Sequence, residues 1–330
     1  MKRLTAIQPG EQMGDFLHIC WMLHNMCNQR CTYCREFLWS GDFRWLKYEN
    51  VENFLKRVFA HYKKDIYHIS FTGGEVTLWP EFTKLVRFLK DNNCQVGLTT
   101  NGSRRLEYWN PIENDFNWMC ISYHAEFAKD DHLIEVVKKL VNKTRLSVRL
   151  MMHKEPKYWE KCIAFGERLK TLDGCKHLFV EYVPLQDDFG TNPRPTDYAE
   201  DQLKFFEKEA FFKVETAPDM PWPDLGPEVW DFQAKYSDGS TEFCRPNELV
   251  RRNEVNFKDW SCYAGVDMMF INHEGEIFRG GCRQGGRIGH IFDETPHFPT
   301  KPWQCKTNFC NCGTDILTKK FAPREVELHP

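Results

Sequence analysis

The sequence predicts an α/β protein built on a parallel sheet. Apolar runs of strand length alternate with amphipathic segments from about residue 18 to residue 185, and polar or glycine-rich motifs follow several of the runs. The chain has 330 residues, which suffices for a large domain with a smaller appendage. Strands that alternate with helices form parallel sheets with right-handed crossovers. We therefore expect functional side chains at the carboxyl ends of the strands.

The elements follow one another in a regular order. The first strand, over residues 18–23, leads into a cysteine-rich loop. We predict the later strands over residues 66–71, 95–99, 118–123, 146–152 and 177–183. Helices between them are predicted by apolar residues at helical spacing: Val51, Phe54, Leu55, Val58 and Phe59; Phe82, Leu85, Val86 and Leu89; and Leu133, Val136, Val137 and Leu140.

The character of the chain changes after this series. Residues 187–195 are polar and proline-rich, a helix is predicted over residues 198–212, and further prolines punctuate the next connection. Two apolar segments flank a turn at residues 273–275, which predicts a β-hairpin. We predict three segments: residues 1–190, 191–243 and 244–330.

Composition excludes several classes of protein. The chain is 42% hydrophobic and 28% charged, and its net charge of −3 gives no electrostatic reason to expect nucleic-acid binding. There is no secretory signal and no apolar run of the roughly 20 residues that cross a bilayer. We therefore expect a cytoplasmic protein. Fourteen cysteines in such a chain indicate metal binding rather than disulfides.

Cys27, Cys31 and Cys34 form the most informative motif, a Cys-x3-Cys-x2-Cys loop. Three thiolates so spaced hold three irons of a [4Fe–4S] cluster and leave the fourth iron open to a substrate or cofactor. Structural zinc sites usually take four ligands as two separated pairs, which this triplet does not match. Polar neighbours indicate a loop rather than three unlinked core thiols.

Three motifs together resemble the radical S-adenosylmethionine (radical SAM) enzymes over roughly residues 15–190. They are the triplet with Tyr33 before its last cysteine, the Gly73-Gly74-Glu75 segment, and the Thr99-Thr100-Asn101-Gly102 segment. The resemblance implies a partial (β/α)6 TIM-like barrel in residues 1–190. It also implies S-adenosylmethionine on the open iron, its reductive cleavage to a 5′-deoxyadenosyl radical, and hydrogen abstraction from a substrate.

The resemblance and the strand ends together imply a set of cofactor contacts. In this set, the two glycines let the backbone approach the ligand, and the Glu75 carboxylate accepts from the cofactor's ammonium group. Arg149 pairs either with the cofactor carboxylate or in a surface ion pair. His124 and Glu126 face either the substrate or solvent, and the same alternatives hold for Glu181 and Tyr182. The predicted cofactor-binding residues are Tyr33, Gly73, Gly74, Glu75, Thr99, Asn101, Ser122 and Arg149.

A second group of cysteines lies in the last third of the chain, and the predicted hairpin brings Cys262 near Cys282. This segment resembles the twitch or SPASM extension, an auxiliary iron–sulfur module of many radical SAM enzymes. One auxiliary [4Fe–4S] cluster is predicted on Cys262, Cys282 and two of Cys305, Cys310 and Cys312. A zinc site is the alternative, and Cys244 is left open as a ligand. We predict core positions for Cys20, Cys94, Cys120, Cys162 and Cys175.

The leading functional prediction is an enzyme that modifies a peptide or a small metabolite, with the auxiliary cluster in electron transfer. The alternatives are a twitch-type dehydrogenase of a sugar or sugar alcohol, and a non-catalytic iron–sulfur redox carrier. Only 26 residues precede Cys27, so we expect no fused peptide-recognition domain. The expected partners are an external electron donor such as flavodoxin or ferredoxin and, for a peptide substrate, a separate recognition protein.

Overall fold

The alternation of strands and helices is present in the computed structural model, which describes residues 2–41, 46–187, 194–221, 223–225, 231–294, 297–310 and 312–323. The strands are β1 Leu4–Pro9, β2 Phe16–Met22, β3 Ile66–Thr72, β4 Gln95–Thr100, β5 Trp118–Tyr123, β6 Arg145–Met152, β7 Leu178–Pro184, β8 Gln186–Asp187, β9 Arg194–Pro195, β10 Phe211–Val214, β11 Phe232–Tyr236, β12 Thr241–Phe243, β13 Ser261–Cys262, β14 Met268–Ile271, β15 Glu276–Phe278, β16 Arg287–His290, β17 Trp303–Gln304 and β18 Lys320–Phe321.

The helices agree with the prediction in the segments where apolar residues recur at helical spacing over several turns. They are α1 Tyr48–Tyr62, α2 Phe82–Asp91, α3 Leu106–Trp109, α4 Asp130–Leu140, α5 Pro156–Lys170, α6 Glu200–Lys208, α7 Pro246–Arg251 and α8 Gly313–Ile316. All six predicted strands of the α/β series are confirmed as β2 to β7. The helix predicted over residues 198–212 is wrong at its end, because α6 stops at Lys208 and β10 pairs antiparallel with β7.

The chain forms two compact units, each assembled from separate stretches of sequence. The first contains residues 1–23, 46–69 and 227–330, and the second contains residues 24–45 and 70–226. The division into residues 1–190, 191–243 and 244–330 remains a prediction.

The second unit contains four parallel strands, β4 to β7, in sequential order. One face of these strands is buried: α2 packs on β4 and α5 packs on β6. On that face the rings of Tyr123 and Phe165 stack with centroids 4.1 Å apart. A Cβ on Gly166 of α5 would lie 2.5 Å from the Tyr182 hydroxyl, so the missing side chain lets this helix approach the sheet closely.

The opposite face of the same strands is polar and partly accessible. Parallel register places Thr99 beside Cys120, and Ser122 beside Arg149, which in turn lies beside Glu181. Of these side chains, Cys120 is buried and the others are half-buried or exposed. Successive side chains of each strand point to opposite faces of the sheet, so one face carries apolar residues under the helices and the other is open to a ligand. The strands form no closed barrel within the described residues, as expected for a partial barrel.

The first unit contains the predicted hairpin and a six-stranded sheet. Strand β14 pairs in parallel with β2 and antiparallel with β15, and Gly275 in the turn between them has a φ of +85°. The six-stranded sheet has the order β12-β11-β1-β18-β13-β17. The sequence did not predict this sheet, since its strands are short and come from distant parts of the chain. None of the described helices combines the length and apolarity that crossing a membrane requires.

Candidate metal centre and cofactor site

The loop after β2 brings Cys27, Cys31 and Cys34 together. The Cys34 amide donates to the Cys31 carbonyl at 3.0 Å, and the Gln29 amide lies 3.4 Å from the Cys27 sulfur. The thiols of Cys31 and Cys34 hydrogen-bond to each other, which raises the pKa of Cys31 and lowers that of Cys34. Burial raises the pKa of Cys27. All three are free thiols, so the loop offers three sulfur donors.

The three sulfurs do not converge on one point. Among the described residues, no three His, Cys, Asp or Glu side chains are arranged to hold a single metal ion. In an iron–sulfur cube each cysteine binds a different iron, and inorganic sulfide fills the space between the irons. The donor set of three neighbouring free cysteines therefore fits a [4Fe–4S] cluster better than it fits one zinc ion.

Side chains beyond the ends of β5 and β6 hold the cysteine loop through Thr32. Oε1 of Glu126 accepts from the Thr32 amide at 3.0 Å and from its hydroxyl at 3.2 Å. Nε2 of His153 lies 3.2 Å from the same hydroxyl. The sequence left open whether Glu126 faces the substrate or solvent, and it did not single out His153. The position of His153 directly after β6 was the signal that could have found it.

The end of β4 holds the first part of the loop. Nδ2 of Asn101 donates to Oδ1 of Asn28 at 2.9 Å and lies 3.8 Å from the Cys27 sulfur. Asn28 in turn donates to the Ser103 hydroxyl at 2.8 Å. The predicted site residue Asn101 is therefore beside the cysteine triplet, where it positions the loop. Neither Asn28 nor Ser103 was singled out from sequence, because short polar residues in a loop carry no pattern.

The two glycines after β3 lie against the chain that enters the cysteine loop. The Gly74 amide donates to the His24 carbonyl at 3.0 Å, and a Cβ on Gly74 would lie 2.0 Å from the Met26 carbonyl oxygen. Gly73 has a φ of +125°, which side chains rarely adopt. The close approach that Gly74 makes is therefore to the protein backbone. Contact of Gly73 with a cofactor remains a prediction.

Glu75 is buried, and its carboxylate serves as an acceptor inside the protein. Oε1 accepts from the Thr77 hydroxyl at 2.6 Å, the Thr77 amide at 3.2 Å and the Thr100 hydroxyl at 2.8 Å. Oε2 accepts from the Asn101 amide at 2.7 Å. Burial raises the pKa of Glu75, and these bonds oppose that shift. The carboxylate thus ties the Gly-Gly-Glu loop to the end of β4; a contact with the cofactor's ammonium group remains a prediction.

Tyr33 lies in an aromatic cluster beside the triplet. Its hydroxyl is 2.5 Å from Nδ1 of His124, and the two rings stack with centroids 5.9 Å apart. Burial lowers the pKa of His124 to about 4 and raises that of Tyr33 well above its usual value. The pair is therefore a neutral phenol and a neutral imidazole joined by one hydrogen bond.

Thr99, Ser122 and Arg149 lie on the open face of the second unit, as the strand ends predicted. Arg149 is half exposed, and its Nε lies 3.5 Å from Oε2 of the neighbouring Glu181. The ion pair with Glu181 is therefore present, and pairing of Arg149 with the cofactor carboxylate remains a prediction. Tyr182, which the sequence left open as facing the substrate or solvent, points to the helix-covered face, where its ring lies 5.0 Å from that of Phe205.

The C-terminal cysteines gather in the first unit. Cys262 on β13 pairs with Trp303 of β17, and Cys305 directly follows that strand. Burial raises the pKa of Cys262, Cys282, Cys310 and Cys312, and electrostatic interactions link Cys282 to Cys262, Cys305 and Cys310, and Cys310 to Cys312. Cys244 interacts electrostatically with Lys320 and Glu242. Each of the five predicted ligands therefore lies within electrostatic reach of at least one other.

Asp315 connects two parts of this group. Its Oδ1 accepts from the Gly281 amide at 2.8 Å and its Oδ2 from the Cys282 amide at 2.5 Å. The Ile316 amide donates to the Cys312 carbonyl at 2.9 Å. The buried carboxylate on α8 thus fixes the backbone that carries Cys282 relative to the helix that begins after Cys312. Sequence reasoning missed Asp315, since a lone aspartate after a cysteine has no distinguishing pattern.

Comparisons with known proteins identify a family match in the first half of the chain. Residues 21–151 match the family model described as the radical SAM superfamily. A 7-carboxy-7-deazaguanine synthase of Methanocaldococcus jannaschii is 26% identical over an alignment of 137 residues, and the match covers 35% of this chain and 55% of that protein. The chain thus matches about half the length of this curated relative.

Solved structures share the fold at low sequence identity. A structure of anSMEcpe with bound S-adenosylmethionine superposes with a TM-score of 0.53 at 16% identity, covering 84% of this chain and 79% of that one. Streptococcus suis SuiB bound to its precursor peptide SuiA gives a TM-score of 0.51 at 14% identity, covering 85% and 64%. Residues 21–151 thus match a radical SAM domain, for which a [4Fe–4S] cluster and S-adenosylmethionine are the implied cofactors, and the solved structures show a shared fold.

Proposed function

We propose that this protein is a radical SAM enzyme that modifies a peptide or a small metabolite. When bound at Cys27, Cys31 and Cys34, the cluster and S-adenosylmethionine would supply a 5′-deoxyadenosyl radical that removes a hydrogen atom from the substrate. One observation carries the proposal: the cysteine loop is held at the carboxyl ends of parallel strands whose adjoining face is polar and open.

In this proposal some residues position the cysteine loop and others orient the ligand. Contacts from three strand ends, made by Asn101, Glu126 and His153, fix the cysteine loop and so limit where a cluster could sit. Ser122 and Arg149 follow one another in register along the open face, where they can orient a ligand through a hydroxyl and a guanidinium. Preorganised positioning of this kind is what a reactive radical requires from a protein.

The relatives support two substrate classes. SuiB is recorded with a precursor peptide, which favours peptide modification. The deazaguanine synthase is named for a small heterocyclic acid, which favours a metabolite. We place the peptide first, since the likeness to SuiB extends over 85% of this chain. A sugar-alcohol dehydrogenase remains the alternative within the superfamily, and either reaction needs an external one-electron donor such as flavodoxin or ferredoxin.

We further propose that four of the five C-terminal cysteines hold one auxiliary [4Fe–4S] cluster that transfers an electron during the reaction. Support comes from their grouping around Cys282 and from the Asp315 carboxylate that fixes its backbone. In this proposal residues 1–190 form the radical SAM core, residues 191–243 connect, and residues 244–330 form the twitch- or SPASM-like module.

The first test is release of 5′-deoxyadenosine. Protein reconstituted anaerobically with iron and sulfide is reduced with dithionite and incubated with S-adenosylmethionine, and the products are separated by liquid chromatography. We expect 5′-deoxyadenosine and methionine in equal amounts. The C27A/C31A/C34A variant should release neither product while it retains the auxiliary iron. An intact wild-type cluster that releases no 5′-deoxyadenosine would refute the enzyme and leave an electron carrier.

The second test separates the two substrate classes. The candidate substrates are peptides encoded by neighbouring genes and metabolites made by the enzymes that neighbouring genes encode. Two quantities are measured: the rise in 5′-deoxyadenosine release over the substrate-free rate, and the transfer of deuterium from labelled substrate to 5′-deoxyadenosine. Transfer from a peptide Cα or side chain supports the first class. Transfer only from a small heterocycle or a sugar alcohol would overturn the peptide proposal.

A further inference from the structure

Lys320 is a buried lysine in the midst of the C-terminal cysteines. Its exposed fraction is 1%, although lysine is among the residues least often buried without a partner. Its ammonium group donates to the Asp315 carbonyl at 2.5 Å and to the Ile316 carbonyl at 2.9 Å. The same group lies 4.3 Å from the centroid of the Phe257 ring. The direct contacts of this cation are thus neutral dipoles and an aromatic face.

Strand pairing places this cation beside the thiols. In the antiparallel ladder of β13 and β18, Lys320 is the direct partner of Cys262. Side chains of such partners lie on the same face of a sheet, with Cβ atoms about 4.5–5.5 Å apart. Lys320 also lies close enough to Cys244 and Cys310 to interact electrostatically with both. One cysteine therefore shares a sheet face with this buried lysine, and two more lie within its electrostatic reach.

The charge balance of the site explains why such a cation is tolerated. A buried ammonium is costly unless an anion compensates it. The neighbouring buried carboxylate, that of Asp315, accepts from the Gly281 and Cys282 amides and interacts electrostatically with Lys320, so it compensates part of this charge. Thiols that bind metal must first become thiolates, so a loaded site carries several negative charges. A fixed cation at this place would compensate them and would favour the more negative, reduced state of a cluster.

We propose that Lys320 is a positioning residue that compensates the charge of the auxiliary cluster and raises its reduction potential. The inference rests on the proposed auxiliary cluster and goes beyond it, since it assigns the control of its potential to one side chain. The mechanism is electrostatic: removing the cation destabilises the reduced cluster more than the oxidised one. The simpler alternative is that Lys320 only caps the last carbonyls of α8.

The test compares three variants of the full chain. Lys320→Met removes the charge and keeps the side-chain length. Lys320→Arg keeps the charge in the same place. Lys319→Met is the matched control, because it removes one positive charge at the adjacent, half-buried position, where the ammonium lies over the Tyr263 ring at 4.4 Å. Each protein is reconstituted anaerobically, its iron and sulfide are counted, and both clusters are titrated with a redox mediator series under EPR detection.

We expect reduction of the auxiliary cluster in Lys320→Met to become at least tenfold less favourable, a shift of about 59 mV to more negative potential for a one-electron couple. Lys320→Arg and Lys319→Met should remain near the wild-type potential. The cluster on Cys27, Cys31 and Cys34 should not shift in any variant. An unchanged auxiliary potential in a Lys320→Met protein with full iron content would overturn the inference.

Two other outcomes are also decisive. If Lys320→Met loads no auxiliary cluster, Lys320→Arg separates the explanations: loading restored at near wild-type potential supports a charge role, and equal loss in both variants refutes it. If the wild-type protein itself holds a single cluster, the auxiliary cluster of the proposed function fails and the inference fails with it. An auxiliary potential in Lys320→Met that equals the wild-type value refutes only the role of Lys320, whereas a missing second cluster in the wild type refutes the auxiliary cluster itself. The same titration distinguishes these two results.

Discussion

The buried carboxylate of Glu75 offers the sharpest test of how this site is held together. Its two oxygens accept four hydrogen bonds, two from backbone amides and two from threonine hydroxyls. In Glu75→Ala the hydroxyls can rotate toward other acceptors, but the amides of Thr77 and Asn101 cannot. Each buried donor without a partner costs about 1–3 kcal/mol, so we expect a loss of about 2–6 kcal/mol in the free energy of unfolding.

Glu75→Gln gives a graded result. The amide oxygen can keep the three bonds on the Oε1 side, while its NH2 group meets the Asn101 amide, so one donor loses its acceptor. We expect a loss of about 1–3 kcal/mol, smaller than that of the alanine variant. The matched control is Glu135→Ala in α4, where a half-exposed ion pair with Lys138 should contribute less than about 1 kcal/mol.

The assay is urea-induced unfolding of the metal-free chain under reducing conditions. Amide hydrogen exchange over residues 95–103 serves as a local readout, because the Asn101 amide should lose protection first in both variants. The reasoning is refuted if Glu75→Ala stays within about 0.5 kcal/mol of the wild type, a change typical of a surface substitution. It is refuted equally if the glutamine variant is less stable than the alanine variant.

Three further predictions concern other parts of the chain. Gly74→Ala should lower the free energy of unfolding by at least about 1–3 kcal/mol, since its Cβ would lie 2.0 Å from a carbonyl oxygen, while Gly313→Ala, whose Cβ would lie 3.8 Å from its nearest neighbour, should be neutral or stabilising. Glu126→Ala should loosen the cysteine loop and lower the iron bound at the triplet, with the auxiliary iron unchanged; equal losses at both sites would contradict this. Burial lowers the pKa of His18 to about 3 and holds that of His68 well below 6.5, so only the unfolded chain gains these protons as the pH falls below 6.5. The two imidazoles should together remove about 3 kcal/mol of stability between pH 7.5 and 5.5, measured as the difference in pH dependence between the wild type and a His18→Leu/His68→Leu variant.

The elements that sequence predicted well are those whose pattern is local and long. Helix α2 carries apolar residues at helical spacing, and β5 was predicted at its observed bounds, residues 118–123. The end of α6 was wrong because Phe211 and Phe212 continue the apolar spacing, yet pair as a strand with β7. Pairing of that kind depends on a partner far away in sequence, for example Val180 opposite Phe212, 32 residues apart, which no local pattern contains.

By itself the sequence determined which chemical groups this protein supplies: three closely spaced thiols, two glycines followed by a carboxylate, and a second group of cysteines. Spacing within a short loop fixes which donors can reach one cluster, so these conclusions needed no coordinates. The tertiary structure alone decided what holds the donors in place. Asn101, Glu126 and His153 reach the loop from three strands, and Lys320 reaches Cys262 across a sheet, because contacts between residues far apart in sequence exist only once the strands have paired.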